Sequence, residues 1–127
     1  MVIIYYNKSD ASSKRVLKWM DIYQIAYQSY PIKKISREDL VKILSMTERG
    51  VEEILKKSSS LQNQEKIKKI NKMNMSDALS YLTIHPELLS TPIIFSNNNV
   101  LVGYNEVEIR QFIPRSKRYL KSFNTSL

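Results

Sequence analysis

Strand-forming residues sit at the two ends of this chain, and the long stretch between them is patterned for helices. The opening run Met1-Val2-Ile3-Ile4-Tyr5-Tyr6 is β-branched and aromatic, which suits a pleated, half-buried surface. It leads into Asn7-Lys8-Ser9-Asp10, a turn able to cap a helix. Val16, Leu17 and Met20 then recur at helical spacing with Trp19 beside them, predicting a helix over 11–20 with one face on a sheet. From Ala26 to Tyr30, before Pro31, apolar and polar residues alternate as in a second strand, so the first third reads as a βαβ unit. At the other end, Pro92-Ile93-Ile94-Phe95, the turn Ser96-Asn97-Asn98-Asn99 and Val100-Leu101-Val102-Gly103 read as an antiparallel hairpin. Asn105, with Glu108 three residues on, is placed to cap a last helix carrying Val107, Ile109, Phe112 and Ile113, stopped by Pro114.

The middle is helical in pattern. Ser36-Arg37-Glu38-Asp39 is a start of the capping-box kind, and Leu40, Ile43 and Leu44 continue on one face. Thr47-Glu48-Arg49-Gly50 then restarts a helix, with Thr47 as its cap and Val51, Ile54 and Leu55 as its buried stripe. Residues 56–75 are polar and lysine-rich with isolated Leu61, Ile67 and Ile70, a loop with a short, weakly packed helix. Ser76-Asp77 opens another helix with Leu79 and Leu82 as its apolar positions, and His85-Pro86 closes it. The order βαβ, helices, ββα is that of an α/β, thioredoxin-like fold with a mixed sheet and an inserted helical subdomain. At 127 residues one domain is expected. Residues 1–32 and 91–114 form its thioredoxin-like part, 33–90 the helical insertion and 115–127 a basic, loosely ordered tail. In that layout Thr91-Pro92 opens the third strand, and a cis bond is expected there.

Residue content removes most catalytic chemistry. Cysteine is absent, so disulfides, thiolate nucleophiles, sulfur-bound zinc and a thiol switch are excluded within this chain. The single histidine, His85, precedes Pro86, where a helix-end role outweighs catalysis. With only Gly50 and Gly103, neither a serine elbow nor a phosphate-cradling glycine loop can be built. No cofactor and no metal are expected. No apolar run reaches the length of a membrane span, and the start shows no basic leader with a cleavage site, so a soluble cytoplasmic protein is expected.

The formal net charge is +8, a field that favours nucleic acid or an acidic surface. Lys66, Lys68, Lys69 and Lys72 form one cluster and Arg115, Lys117, Arg118 and Lys121 a second. Solvated faces account for most such clusters, and a DNA-proximal surface is the functional reading.

Four stretches carry a family resemblance: Met1-Val2-Ile3-Ile4-Tyr5 with Ser9 and Ser12 following; Ile43-Leu44-Ser45-Met46-Thr47-Glu48-Arg49-Gly50; His85-Pro86-Glu87-Leu88-Leu89-Ser90-Thr91-Pro92-Ile93-Ile94; and 102–115, beginning Val102-Gly103-Tyr104-Asn105. The chain from Met1 to Arg118 resembles the Spx proteins, relatives of the glutaredoxin-linked arsenate reductases. The resemblance implies a non-catalytic regulator that binds the C-terminal domain of the RNA polymerase α subunit and alters promoter choice. It also implies that Gly50, with Thr47, Glu48, Arg49 and Val51, belongs to the surface that meets the α subunit; without it, Gly50 reads as relief of crowding near a helix start. Many Spx proteins carry a redox-sensing Cys-x-x-Cys at the first helix, where Asp10 and Ser13 stand here. The arginine usual before the proline motif is replaced by Thr91, which disables oxyanion chemistry a second time, although Lys14 and Arg15 keep positive charge nearby. A monomer is expected, touching promoter DNA only together with polymerase. The other readings are an arsenate-reductase-like enzyme or redox adaptor, disfavoured without cysteine, and an antagonist that competes with a cysteine-bearing paralogue.

Overall fold

The computed structural model describes residues 1–57 and 60–114. Four strands, β1 (Val2–Tyr6), β2 (Tyr27–Pro31), β3 (Ile93–Phe95) and β4 (Val100–Val102), form one sheet in the order β2-β1-β3-β4. β2 runs parallel to β1, reached through helix α1 (Ala11–Ile22), while β3 is antiparallel to β1 and β4 to β3. This is the mixed sheet expected from the βαβ and hairpin patterns. Between β2 and β3 lie α2 (Arg37–Ser45), α3 (Leu61–Asn71) and α4 (Met75–Ile84), joined by 3₁₀ turns at Ile32–Lys34, Gly50–Ile54 and Pro86–Leu88.

The period of two along the strands divides the core. Ile4, Ile94 and Leu101 are register partners across three strands. They pack on one face with Val16, Trp19 and Met20 of α1 and with Ile109, Phe112 and Ile113. Tyr5, Ile93 and Phe95 occupy the other face, against Leu40, Ile43, Ile54, Leu79, Leu82 and Leu88 of the helical segment. Edge strand β2 contributes little, because its central residues are exposed. A polar link joins the sheet to the helical segment: the Tyr5 hydroxyl, on a side chain almost fully buried, donates to the Asp39 carboxylate on α2.

Several local expectations hold in detail. Asp10 and Ser36 cap α1 and α2 with their side chains, the Ser96–Asn99 turn closes through an Asn99 carbonyl accepting from the Ser96 amide at 2.9 Å, and Thr91-Pro92 is cis. Others are corrected. Thr47 does not cap a new helix: its Oγ1 donates to the Leu44 carbonyl at 2.8 Å and so finishes α2. The next element is a 3₁₀ turn starting at Gly50 with no side-chain cap, and only Ile54 of its expected stripe is fully buried. The lysine-rich region carries a full eleven-residue helix, α3, capped by Ser60 and anchored by buried Ile70. α4 is capped by Asn74, whose Oδ1 accepts from the Asp77 amide at 2.8 Å, and not by Ser76. The last helix is a 3₁₀ turn (Glu108–Phe112). Asn105 does receive the Val107 and Glu108 amides, both at 2.9 Å, but Val107 faces solvent instead of the core.

Candidate functional site

The position that the Spx resemblance assigns to a cysteine pair, Asp10 and Ser13 here, lies at the N-terminus of α1. Asp10, in extended conformation, starts the helix, and its Oδ1 accepts the Ser12 amide at 3.1 Å. Its Oδ2 accepts two hydroxyls, Ser13 Oγ at 3.1 Å and Thr91 Oγ1 at 2.9 Å. Ser13, 1% exposed, in turn accepts the Asn7 amide at 3.1 Å. Asp10 and Ser13 are therefore brought together as the sequence spacing requires, and Thr91 joins them from across the chain. The Thr91 bond had no sequence signal beyond the absence of an arginine at that position. Both hydroxyls direct their protons at one carboxylate, and a negative charge at a helix N-terminus is favoured by the helix dipole. The arrangement ties three segments together through one carboxylate. Lys14 and Arg15 are exposed on α1, and no described ion pair involves them.

A groove of about 650 Å³ opens on the side of the molecule where residues 46–49 approach β4 and the turn that starts at Glu108. Thr47, Glu48 and Arg49 line it, while Gly50 and Val51 lie beyond it in the adjoining turn. Val107, 77% exposed, also lines it, an apolar side chain that belongs to neither core cluster of the described residues. Among the described residues that line it, the groove carries Glu48, Glu53 and Glu108 against Arg49, so this lining is acidic on a basic protein. Glu53 also fixes the shape of the wall, since its carboxylate accepts the Arg49 backbone amide. The groove is thus built jointly by the helical segment and the hairpin half. Sequence reasoning found the first wall only; the second depends on the hairpin bringing residues 100–111 opposite it.

Gly50 has φ +70°, and a Cβ built there meets nothing within 4 Å. The left-handed backbone by itself accounts for glycine, and the open space leaves the position accessible.

The lysine cluster is split. Lys66 is half-buried and its Nζ lies 3.3 Å from the Glu87 carboxylate, which also receives His85 Nδ1 at 3.1 Å. Burial raises the Glu87 pKa, but its own backbone N–H, His85 and Lys66 together outweigh this and hold it below the usual value. His85 packs against Tyr81 in a tilted arrangement with ring centroids 4.4 Å apart, consistent with a helix-end role. Lys68, Lys69 and Lys72 are exposed, and their spacing places them on neighbouring positions of one side of α3 and its end. The second basic cluster, Arg115 to Lys121, lies outside the described residues.

The described residues contain no cluster of three or more histidines, aspartates or glutamates able to hold a metal, and no helix long and apolar enough to cross a membrane.

Comparison with known proteins agrees with this architecture. The ArsC family matches residues 5–112. The Global transcriptional regulator Spx of Lactiplantibacillus plantarum is 34% identical over 95% of this chain and 92% of its own length, and that of Streptococcus mutans is 32% identical over 93% and 87%. Among solved structures, an ArsC family related protein from Bacteroides fragilis superposes with a TM-score of 0.74 at 18% identity, covering 87% of this chain and 96% of that one, a likeness of fold. By family match, by relatives of this identity and coverage, and by the absence of any cysteine, the chain belongs to the ArsC family, as a cysteine-free member of its Spx branch.

Proposed function

We propose that this protein is a cytoplasmic, non-enzymatic transcriptional regulator that binds the C-terminal domain of the RNA polymerase α subunit and alters promoter use without a thiol switch. One observation carries the reading: Thr47, Glu48 and Arg49, in the segment that the Spx resemblance assigns to polymerase, line a groove facing the exposed Val107. An exposed apolar side chain beside polar surface is what a docking site presents before its partner arrives. The similarity to Spx global regulators supports the same direction. Gly50 and Val51 extend the surface along the adjoining turn. Lys68, Lys69 and Lys72 add sequence-independent phosphate contacts once polymerase has placed the protein beside promoter DNA, with Lys66 already engaged by Glu87. A monomer suffices for this role.

An arsenate-reductase-like activity lacks its nucleophile, because the chain has no cysteine and Asp10 stands in its place with all its described bonds directed inward. Calorimetry with the purified C-terminal domain of the α subunit tests the proposal. Wild type should bind saturably with one-to-one stoichiometry, and Gly50→Arg should bind at least tenfold more weakly while Gly50→Ala, which shares the backbone strain, retains most of the affinity. Absence of wild-type binding overturns the polymerase reading. Promoter-specific transcription then separates a regulator from an antagonist, since an antagonist suppresses a cysteine-bearing paralogue and activates nothing itself.

A further inference from the structure

A second cleft, of about 470 Å³, opens where the parallel strands β1 and β2 reach their carboxyl ends, between the turns at Ile32–Lys34 and Pro86–Leu88. It shares no residue with the polymerase groove. Tyr6, Pro31, Ile32 and Pro86 give it apolar, conformationally stiff walls, all half-buried, while Lys8 and Lys33 are exposed at its edge. The one carboxylate present, Glu87, is already engaged by Lys66 at 3.3 Å and by His85 at 3.1 Å. Lys8 and Lys33 take part in no ion pair among the described residues. The cleft therefore combines an apolar body with two uncommitted cations. Asn7 adds a side-chain amide whose oxygen accepts from Ser9, which leaves its nitrogen as a donor.

The position has its own physical logic. In open α/β sheets the carboxyl ends of neighbouring parallel strands leave a crevice between diverging connections, and here the connections leaving β1 and β2 are a loop and a short turn that do not fill it. The size falls in the usual range for small-molecule sites, which are mostly apolar with a few placed polar groups. We propose that this cleft binds a small amphipathic organic carboxylate. Its ring or branched body packs on Tyr6, Pro31, Ile32 and Pro86, and its carboxylate is taken by Lys8 and Lys33. A cationic or uncharged counterpart of the same shape gains no head-group contact, since the one carboxylate lining the cleft is already engaged by Lys66 and His85.

The test is an amide NMR titration of the full chain with 4-phenylbutyrate, with 4-phenylbutylamine as the same body bearing the opposite charge and inorganic phosphate as an anion without a body. The expected result is one saturable process for phenylbutyrate, moving the amides of residues 6–8 and 32–33, with the amine and phosphate each at least about tenfold weaker. Lys8→Gln/Lys33→Gln, two exposed positions whose change leaves the rest of the spectrum in place, should weaken phenylbutyrate by about tenfold or more. Equal binding of the amine, equal binding of phosphate, an unchanged affinity in the double variant, shifts mapping to residues 46–49 and 107–111, or no saturation would each overturn the proposal.

Discussion

A single carboxylate organises the N-terminus of α1. Asp10 accepts from Ser12, Ser13 and Thr91 at once, so it serves as helix cap, as partner for a nearly buried hydroxyl and as a tie to the loop before β3. Replacing it with alanine removes all three bonds and leaves the Ser13 hydroxyl without its acceptor, an effect of about 1–3 kcal/mol on stability by urea unfolding. Asp10→Asn keeps an acceptor oxygen for the Ser12 amide and should lose about half as much. A loss below about 0.5 kcal/mol for Asp10→Ala would mean the cluster is incidental.

At the scale of elements, the helix starts discriminate between similar sequences. Asn74, not Ser76, receives the free amide at the start of α4; the Ser76 Oγ accepts instead from Arg37 Nη2 at 2.9 Å on the surface. Asn74→Ala should therefore cost about 1 kcal/mol, and Ser76→Ala less than about 0.5 kcal/mol, measured by thermal or urea unfolding. The reverse order would restore Ser76 as the cap. The 3₁₀ turn at Gly50 shows a related economy: Thr47 finishes α2, Glu53 holds the Arg49 amide, and the left-handed glycine lets the chain reverse without a helix of its own. The consequence for function is that residues 47–49 are held outward as part of a groove wall.

Across the whole molecule, the sheet separates two apolar clusters, and the Tyr5–Asp39 bond is a polar tie between the sheet and the helical segment. Burial first, and then the Asp39 carboxylate that accepts its proton, push the Tyr5 phenol well above its ordinary value near 10. Tyr27 is shifted the same way by burial and by Asp21. Because the folded state holds these protons longer than the unfolded chain, their contribution is fully present below about pH 10 and is lost as pH rises above it. Urea midpoints should fall steadily between about pH 9.5 and 11, and Tyr5→Phe, although about 1 kcal/mol less stable at neutral pH, should show a shallower fall. An identical slope in the variant would place the alkaline sensitivity elsewhere.

Local chemistry written along the chain determined the βαβ start, the Asp10 and Ser36 caps and the hairpin. In each case the deciding groups lie within a few residues of one another, or repeat with the period of the element. The juxtaposition of Asp10 with Ser13 was legible for the same reason, and the reading of residues 47–51 as a partner-binding segment came from the resemblance to Spx. Tertiary structure decided what depends on distant partners. Ile70 could anchor a polar helix only because the sheet-facing cluster was there to receive it. Thr91 reached Asp10 across 81 positions of sequence, and Val107 and Glu108 became the second wall of the groove only when the β3–β4 hairpin closed opposite residues 46–49. Periodicity marks which side of an element is apolar; it does not say whether a partner arrives to cover it, and at Val107 none does among the described residues.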